Sequence, residues 1–536
     1  MKKIKILAMF LVTTLLAVGC NQTTEKQEDE QQTEVINVDY IKLTMTKPET
    51  INPILNTNRS VAYAMTLVYD GLFKIDENYN VVPQLVEEYS IASNGKSIYI
   101  KLKDATWHDN TQVTSQDVQF TINTIKNNEQ SPYNYMTSNI SSVNILNERE
   151  FNINFKQNYA FSKETLVFPI ISKDQLNGLN KDYLKLESNN EVGNGVYKIE
   201  KFEEREEMIL VPNENYYNLE STMLKDIHIK IVPDQESRTE MILALESDIT
   251  DVSLEELSKF QEERFDIINY QGREYEYILL NHENDFIKDI NFRKALAHIV
   301  DKEKIVKEAY IGDAVQTNFP INTTSEYYNK ELEPLEFSFE KAKESLSKVN
   351  VQNIENSNEE AKQTKDNKNE KTETTQQKLN RKLKELNLNI IVNKDNLERV
   401  KVATTISQNL NEIGIKATVS QLTAEELDNA LQKKEYDLAI LGWQLSSIPD
   451  INSIINSSGY VDEKLSNYIN SLSNISSEEQ TKQIYNNIQR YIVENVPFIS
   501  IAIRDEYIVQ NTRIQGDINP NSFNIYNGME KLKIDN

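Results

Sequence analysis

The amino-acid sequence predicts an α/β protein, and three observations carry that expectation. Residues 386 to 442 run strand, helix, strand, helix, strand by the spacing of their apolar residues. A hairpin pattern over Tyr89 to Leu102 is followed directly by a helix-capping sequence at Thr114. The chain has 536 residues, enough to bury a large core and to form about three domains.

From the N-terminus, Lys2, Lys3 and Lys5 precede an apolar run of thirteen residues, Ile6 to Val18. A membrane-spanning helix needs about 20 residues, so the run fits a secretory signal segment over residues 1–19. Leu16-Ala17-Val18-Gly19-Cys20 resembles a bacterial lipobox, although Ala17 stands where leucine is usual. Lipidation at Cys20 is the expectation. It is the only cysteine of the chain, so it forms neither an internal disulfide nor a thiolate metal cluster. Residues 20–35 are polar and rich in Glu and Gln, and read as a flexible tether. The formal charge is −25, or −28 without the three signal lysines. So acidic a body disfavours nucleic acid and anionic surfaces as partners.

Ile36 to Thr44 reads as a strand and Ala62 to Leu72 as a helix ending near Gly71. In the hairpin, Asn94-Gly95 is expected as a type I′ turn, with Ile98, Ile100 and Leu102 on one face. Thr114 and Asp117 have the spacing of a capping box. Residues 350–377 are almost wholly Glu, Lys, Asn, Gln and Thr, a composition that cannot bury enough surface to order itself. They read as an insertion within a domain, with an interdomain linker as the alternative.

Leu386 to Val392 then reads as a strand. Val400, Ala403, Ile406, Leu410 and Ile413 share one helical face that Gly414 closes. Ile415 to Val419 is a second strand, Thr423 and Glu426 cap another helix, and Asp437 to Leu441 is a third strand. Right-handed crossovers put these strands in one sheet. Ligands of such sheets sit beyond the carboxyl ends of the strands, which places Gly442 to Asp450 at a cleft edge.

Several segments, in order, resemble the bacterial extracellular solute-binding proteins of the oligopeptide, dipeptide and nickel group (family 5). They are Pro83 to Ser90, Ser93 to Lys96, Trp107 to Asn110 with Thr114 to Val118, Gly193 to Lys198, Asp289 to Asp301, Tyr436 to Trp443 and Val496 to Ile499. Asn194 and Val196 depart from that family's pattern. The resemblance implies a two-lobed periplasmic-binding-protein-like fold of the large cluster C type. Lobe I would comprise 36–57, 193–272 and 495–536 with an inserted subdomain at 58–192, and lobe II would be 273–494. It also implies a hinge of two crossing strands, solute held between the lobes, and docking of a monomer on ABC-transporter permease subunits.

For the ligand site, Gly442 offers close backbone approach, and Trp443 offers an apolar wall with one donor, or else a core tryptophan. Gln444 belongs to the same segment. The family's peptide binders place an amine-pairing Asp where this chain has Ser446. Asp450 either takes that role or caps the next turn. Asn281 and Asn52 either bond a ligand main chain or are turn residues. His108, His228, His282 and His298 form no metal-binding spacing, so neither metal nor cofactor is expected. No Gly-x-Ser-x-Gly, His-Glu-x-x-His or phosphate loop is present, so the chain reads as a binding protein and not an enzyme. The resemblance implies a short peptide as ligand. A nickel chelate, haem, an opine or a sugar oligomer is the alternative, as is peptide sensing without uptake.

Overall fold

The computed structural model of the chain describes residues 38–176, 192–218, 224–261, 263–350, 374–475 and 477–535. The chain divides into two units, Met1–Val38 and Asp39–Asn536. The signal segment, the tether residues, Cys20 and most of the 350–377 stretch lie outside the described residues. A helix Thr375–Glu385 begins inside that stretch, because Thr374 and Gln377 cap its first turn reciprocally. The expected insertion therefore ends by 374.

The first strand forms at Ile41–Thr46, with Ile41, Leu43 and Met45 buried on alternate positions. It pairs parallel with Ile227–Val232, and Glu207–Pro212 and Tyr197–Glu203 extend the sheet antiparallel. The helix expected over Ala62 to Leu72 spans Arg59–Met65 instead, because Asn58 caps it early through the amides of Ser60 and Val61. The chain then turns through Tyr69 to Gly71, where a Cβ would lie 2.7 Å from the Phe168 carbonyl oxygen.

A separate four-stranded antiparallel sheet runs in the order Val86–Ile91, Ser97–Leu102, Glu150–Phe155, Ile140–Ile145. Ile98, Ile100, Leu102, Phe151 and Ile153 are buried, as are Val118, Ile122 and Ile125 of the helix Ser115–Lys126. Asp117 accepts hydrogen bonds from Thr114 N and Oγ1 at 2.8 Å, which completes the capping box. The hairpin turn is not type I′. Gly95 has φ +62°, Asn94 keeps a negative φ, and Gly95 N donates to Ala92 O, so the loop is longer than two residues.

The third sheet has seven strands, of which Ala314–Gln316 pairs with Phe498–Asn511 off the main path. Its order is Ile249–Val252, Phe498–Asn511, Phe265–Leu280, Leu438–Gln444, Asn387–Asn393, Lys416–Leu422. The last three strands are parallel to one another, as the crossover pattern requires. Their helix Leu397–Glu412 buries Val402, Ala403, Ile406 and Leu410 in a core with Leu388, Ile390 and Val392. Gly414 follows at φ +85°, and Thr423 with Glu426 caps Ala424–Lys433. The strand expected to stop at Leu441 continues to Gln444, since Gly442 to Gln444 pair with Glu276 to Glu274.

Two long strands, Phe265–Leu280 and Phe498–Asn511, pair antiparallel along most of their length. Their register shifts between Gln271 and Tyr275, a bulge that places Gly272 and Arg273 off the ladder. Bulges re-aim the side chains of a strand.

Candidate functional site

A cavity of about 540 Å³ opens beside this bulge. One wall comes from Tyr79, Tyr135, Tyr159, Glu164 and Phe523. The bulge supplies Gly272 and Arg273. The facing wall is the segment Trp443 to Asp450 with Ser453 and Ile454, flanked by Pro320 to Tyr327. Its size suits a small solute, since ligand pockets run to about 300–1,000 Å³.

The facing wall is held rigidly. Ile448 N donates to Ser446 Oγ at 3.2 Å, Asp450 N to Ile448 O at 2.8 Å, and Tyr485 Oη to the carbonyl of Pro449. Leu445 N donates to Arg273 O at 2.9 Å, and Arg273 Nη1 returns a bond to Leu445 O at 3.1 Å. Contacts between segments distant in the chain surround the cavity. Tyr135 Oη lies 3.4 Å from Ser446 Oγ, Asn158 Nδ2 donates to Ile475 O at 2.9 Å, and Phe161 meets Tyr485 edge-on at 5.4 Å.

Of the residues that the sequence singles out, Trp443, Gln444, Ser446 and Asp450 line the cavity. Trp443 is 38 % exposed, so its indole is a wall and not a core side chain. Asp450 uses one carboxylate oxygen to accept from Asn452 N at 2.9 Å, and its side chain remains exposed at the cavity. It thus has the turn-capping bond and a place in the wall together.

Three others lie elsewhere. Gly442 is not among the lining residues; a Cβ there would sit 1.7 Å from Arg399 Nη2, so the glycine admits that guanidinium. Arg399 Nε bonds Glu276 Oε2 at 2.9 Å and Nη2 bonds Glu276 Oε1 at 2.8 Å and Glu274 Oε1 at 2.6 Å. Asn281 follows the far end of its strand, well past the bulge, and donates to Lys434 O and Tyr436 O. Asn52 is buried in a turn, where its Oδ1 accepts from Ile54 N. Both asparagines hold backbone and lie outside the cavity lining.

Sequence reasoning passed over Glu164, Arg273, Tyr159 and Tyr135. Glu164 is 2 % exposed; Tyr327 Oη donates to its Oε1 at 2.6 Å, while Oε2 is buried without a hydrogen-bond partner. Burial pushes its carboxyl up to about 7 against the opposing pull of Lys163 and Tyr327. Arg273 stacks on Phe523 at 4.2 Å, its Nε has no partner, and burial lowers its pKa. Burial, then Asp450 and Glu164, raise the Tyr159 phenol. The one signal in the sequence was a Lys-Glu pair inside the mostly apolar stretch Phe161 to Ile171.

Two of the four histidines hold backbone. His108 accepts from Gly193 N at Nδ1 and bonds Gly195 O through Nε2, and burial lowers its pKa to about 4. His282 bonds Pro497 O at 2.8 Å and is likewise lowered to about 4, by burial first. Among the described residues no group of three His, Cys, Asp or Glu is arranged to hold a metal.

The family described as bacterial extracellular solute-binding proteins, family 5 Middle, matches residues 80–463. The oligopeptide-binding protein AppA of Bacillus subtilis (strain 168) is 22% identical over 541 residues, covering 95% of this chain and 94% of that protein. The structure resembles that of the ABC transporter substrate-binding protein CtaP of Listeria monocytogenes, with a TM-score of 0.72, 19% identity, and coverage of 93% and 100%. It also resembles NikZ of Campylobacter jejuni in complex with Ni(L-His), with a TM-score of 0.60, 25% identity, and coverage of 89% and 95%. The likeness to CtaP is one of fold.

Proposed function

Because the chain belongs to the bacterial extracellular solute-binding proteins of family 5, we propose that it is the receptor of an ABC importer and captures short peptides. Cys20 then anchors it by lipid to the outer face of the cell membrane, and it meets the permease subunits as a monomer. The observation that carries this reading is the cavity of about 540 Å³, lined by segments from Ile75 to Phe523 beside the bulge of two long paired strands. The name of its relative AppA, an oligopeptide-binding protein, supports the choice of ligand.

The mechanism follows from the geometry. A solute that bonds Trp443, Gln444, Ser446 or Asp450 on one wall and the tyrosines of the other favours the state in which the walls are together. Moving a hinge equilibrium from 1:99 to 99:1 takes about 5.5 kcal/mol of differential binding. A few charge-assisted hydrogen bonds of about 1.5–3 kcal/mol each supply it. The exposed polar groups of the wall leave room for bridging water, which tolerates varied side chains.

Native mass spectrometry of protein purified from its host tests the reading. The expected result is a set of co-purifying peptides and a mature N-terminus at an acylated Cys20. A single nickel chelate, haem, opine or sugar in place of peptides would overturn the ligand assignment, and an unmodified Cys20 would overturn the anchor.

A further inference from the structure

Four charged side chains meet beside the cavity without lining it. Lys163, whose side chain is 6 % exposed, reaches Glu326 and Glu478, each at 3.3 Å. Lys482 reaches Glu326 at 2.7 Å, and Tyr89 Oη donates to Glu478 Oε1 at 3.0 Å. The four charged residues lie outside the cavity lining, although their neighbours Glu164 and Tyr327 belong to it. Glu164 turns away from the cluster to accept from Tyr327 Oη at 2.6 Å, and burial keeps its carboxyl protonated up to about 7. Below that value two ammoniums meet two carboxylates, and the cluster takes no charge from a solute.

The chain around Lys163 is seated as well as paired. Asn158 Nδ2 donates to Asn94 O and to Ile475 O, each at 2.9 Å. The Phe161 ring meets Tyr327 and Tyr485 edge-on at 5.9 and 5.4 Å, and all three rings are buried. Lys163 thus carries its charge to the edge of an aromatic cluster. An ammonium so enclosed is stable only while its carboxylates are within reach.

We propose that this cluster is a clasp, in which Lys163 joins the span 58–192 to the span 273–494 and sets how long a bound solute is held. The proposal rests on the receptor reading for the existence of a closed, solute-bound state. All partners of the clasp are protein groups, so it acts on every ligand alike and raises retention without adding selectivity. Removing one partner of a desolvated charge pair at such a contact speeds dissociation and leaves encounter nearly unchanged. For the same reason the clasp operates on the empty protein, and its loss moves the empty molecule away from the closed arrangement. The rival role for Lys163 is to hold the Asn158 to Glu164 segment in the fold, which would change melting and leave release untouched.

The experiment uses the mature chain, Lys163→Met, Glu478→Gln and the double variant, each checked for an unchanged circular dichroism spectrum. Protein loaded with a pancreatic digest of isotope-labelled casein is chased with unlabelled digest, and the labelled peptide still bound is followed by mass spectrometry. Lys163→Met is expected to release its peptides about tenfold faster or more, with loading changed by less than about threefold. Glu478→Gln is expected to shift release the same way, and the double variant to release no faster than Lys163→Met alone. Without any ligand, pulsed dipolar spectroscopy on labels at the exposed Leu146 and Val461, in a chain without Cys20, reads the arrangement directly. The empty wild type is expected to populate the separation of this structure, and Lys163→Met to deplete it. Equal release rates, fully additive effects in the double variant, or a lower melting temperature with release unchanged would each overturn the clasp. Retention of nothing by the wild type would count against the peptide reading instead. The ligand-free distances then decide the clasp alone, and identical distributions in wild type and Lys163→Met would sink it.

Discussion

Replacing Gly442 by alanine tests the account of the sheet beneath the cavity. The new Cβ would lie 1.7 Å from Arg399 Nη2, about half of an ordinary contact, so the guanidinium has to move by roughly 2 Å. That movement breaks the paired bonds of 2.9 and 2.8 Å to Glu276. Glu276 is 1 % exposed, and burial already pushes its carboxyl upward, with Arg399 as its main relief. Stranding a buried partner of this kind costs about 3–5 kcal/mol. Gly442→Ala is expected near the lower end, since the arginine keeps part of its attraction. The assay is urea denaturation followed by circular dichroism, run as a double-mutant cycle with Arg399→Met. In the Arg399→Met background the alanine meets no guanidinium and costs less than about 1 kcal/mol. Peptide affinity of Gly442→Ala stays within threefold of wild type, because Gly442 does not line the cavity. Equal costs in both backgrounds, or a large affinity loss at unchanged stability, would refute the reasoning and return Gly442 to the ligand site.

Further expectations follow from the same geometry. The raised carboxyl of Glu164 means that the folded state holds its proton more tightly than the unfolded chain. Its stabilising contribution is present below about 4.5 and is lost as pH rises through about 7, a change of about 3 kcal/mol. Ligand-free Glu164→Gln is therefore more stable than wild type at pH 8 and not at pH 4.5, as differential scanning calorimetry reads. Trp443→Ala removes an exposed cavity wall and is expected to weaken peptide binding about tenfold or more, with stability changed by less than about 1 kcal/mol. His108 and His282 have pKa values lowered to about 4, so stability is expected to fall as pH drops from about 6.5 through 4. His108→Gln, measured by calorimetry, flattens that acid limb; an unchanged limb would contradict the neutral, backbone-holding role.

The parts legible in the sequence are those fixed by neighbours in the chain. The strand-helix-strand run of 386 to 442 has its periodicity and caps within one segment, and Thr423, Glu426 and Gly414 do locally what their spacing implied. Trp443 to Asp450 came to the cavity for the same reason, since strand direction alone sets where that segment emerges. What failed depends on distant partners. The bulge at Gly272 and Arg273 exists only because Phe265–Leu280 pairs with a strand more than two hundred residues away. Asn281, read as a ligand-bonding or a turn residue, lies just beyond the end of that strand and holds backbone there. Gly442 reads as a glycine that frees a backbone, and nothing local says that Arg399 fills the space. Glu164 is one of 83 acids, and its burial and its unpartnered oxygen are tertiary facts.

The central claim is that solute bound in the cavity changes how its walls stand to one another. Leu146, 56 % exposed between the strands Ile140–Ile145 and Glu150–Phe155, and Val461, 90 % exposed ahead of the helix Glu463–Ser471, are suited to paired spin labels as cysteines in a chain lacking Cys20, the only native thiol. Pulsed dipolar spectroscopy would measure the distance between them with and without saturating casein digest. A new, discrete distance that grows with digest concentration is the predicted result. A distribution unchanged at a concentration where peptides are demonstrably retained would contradict the account.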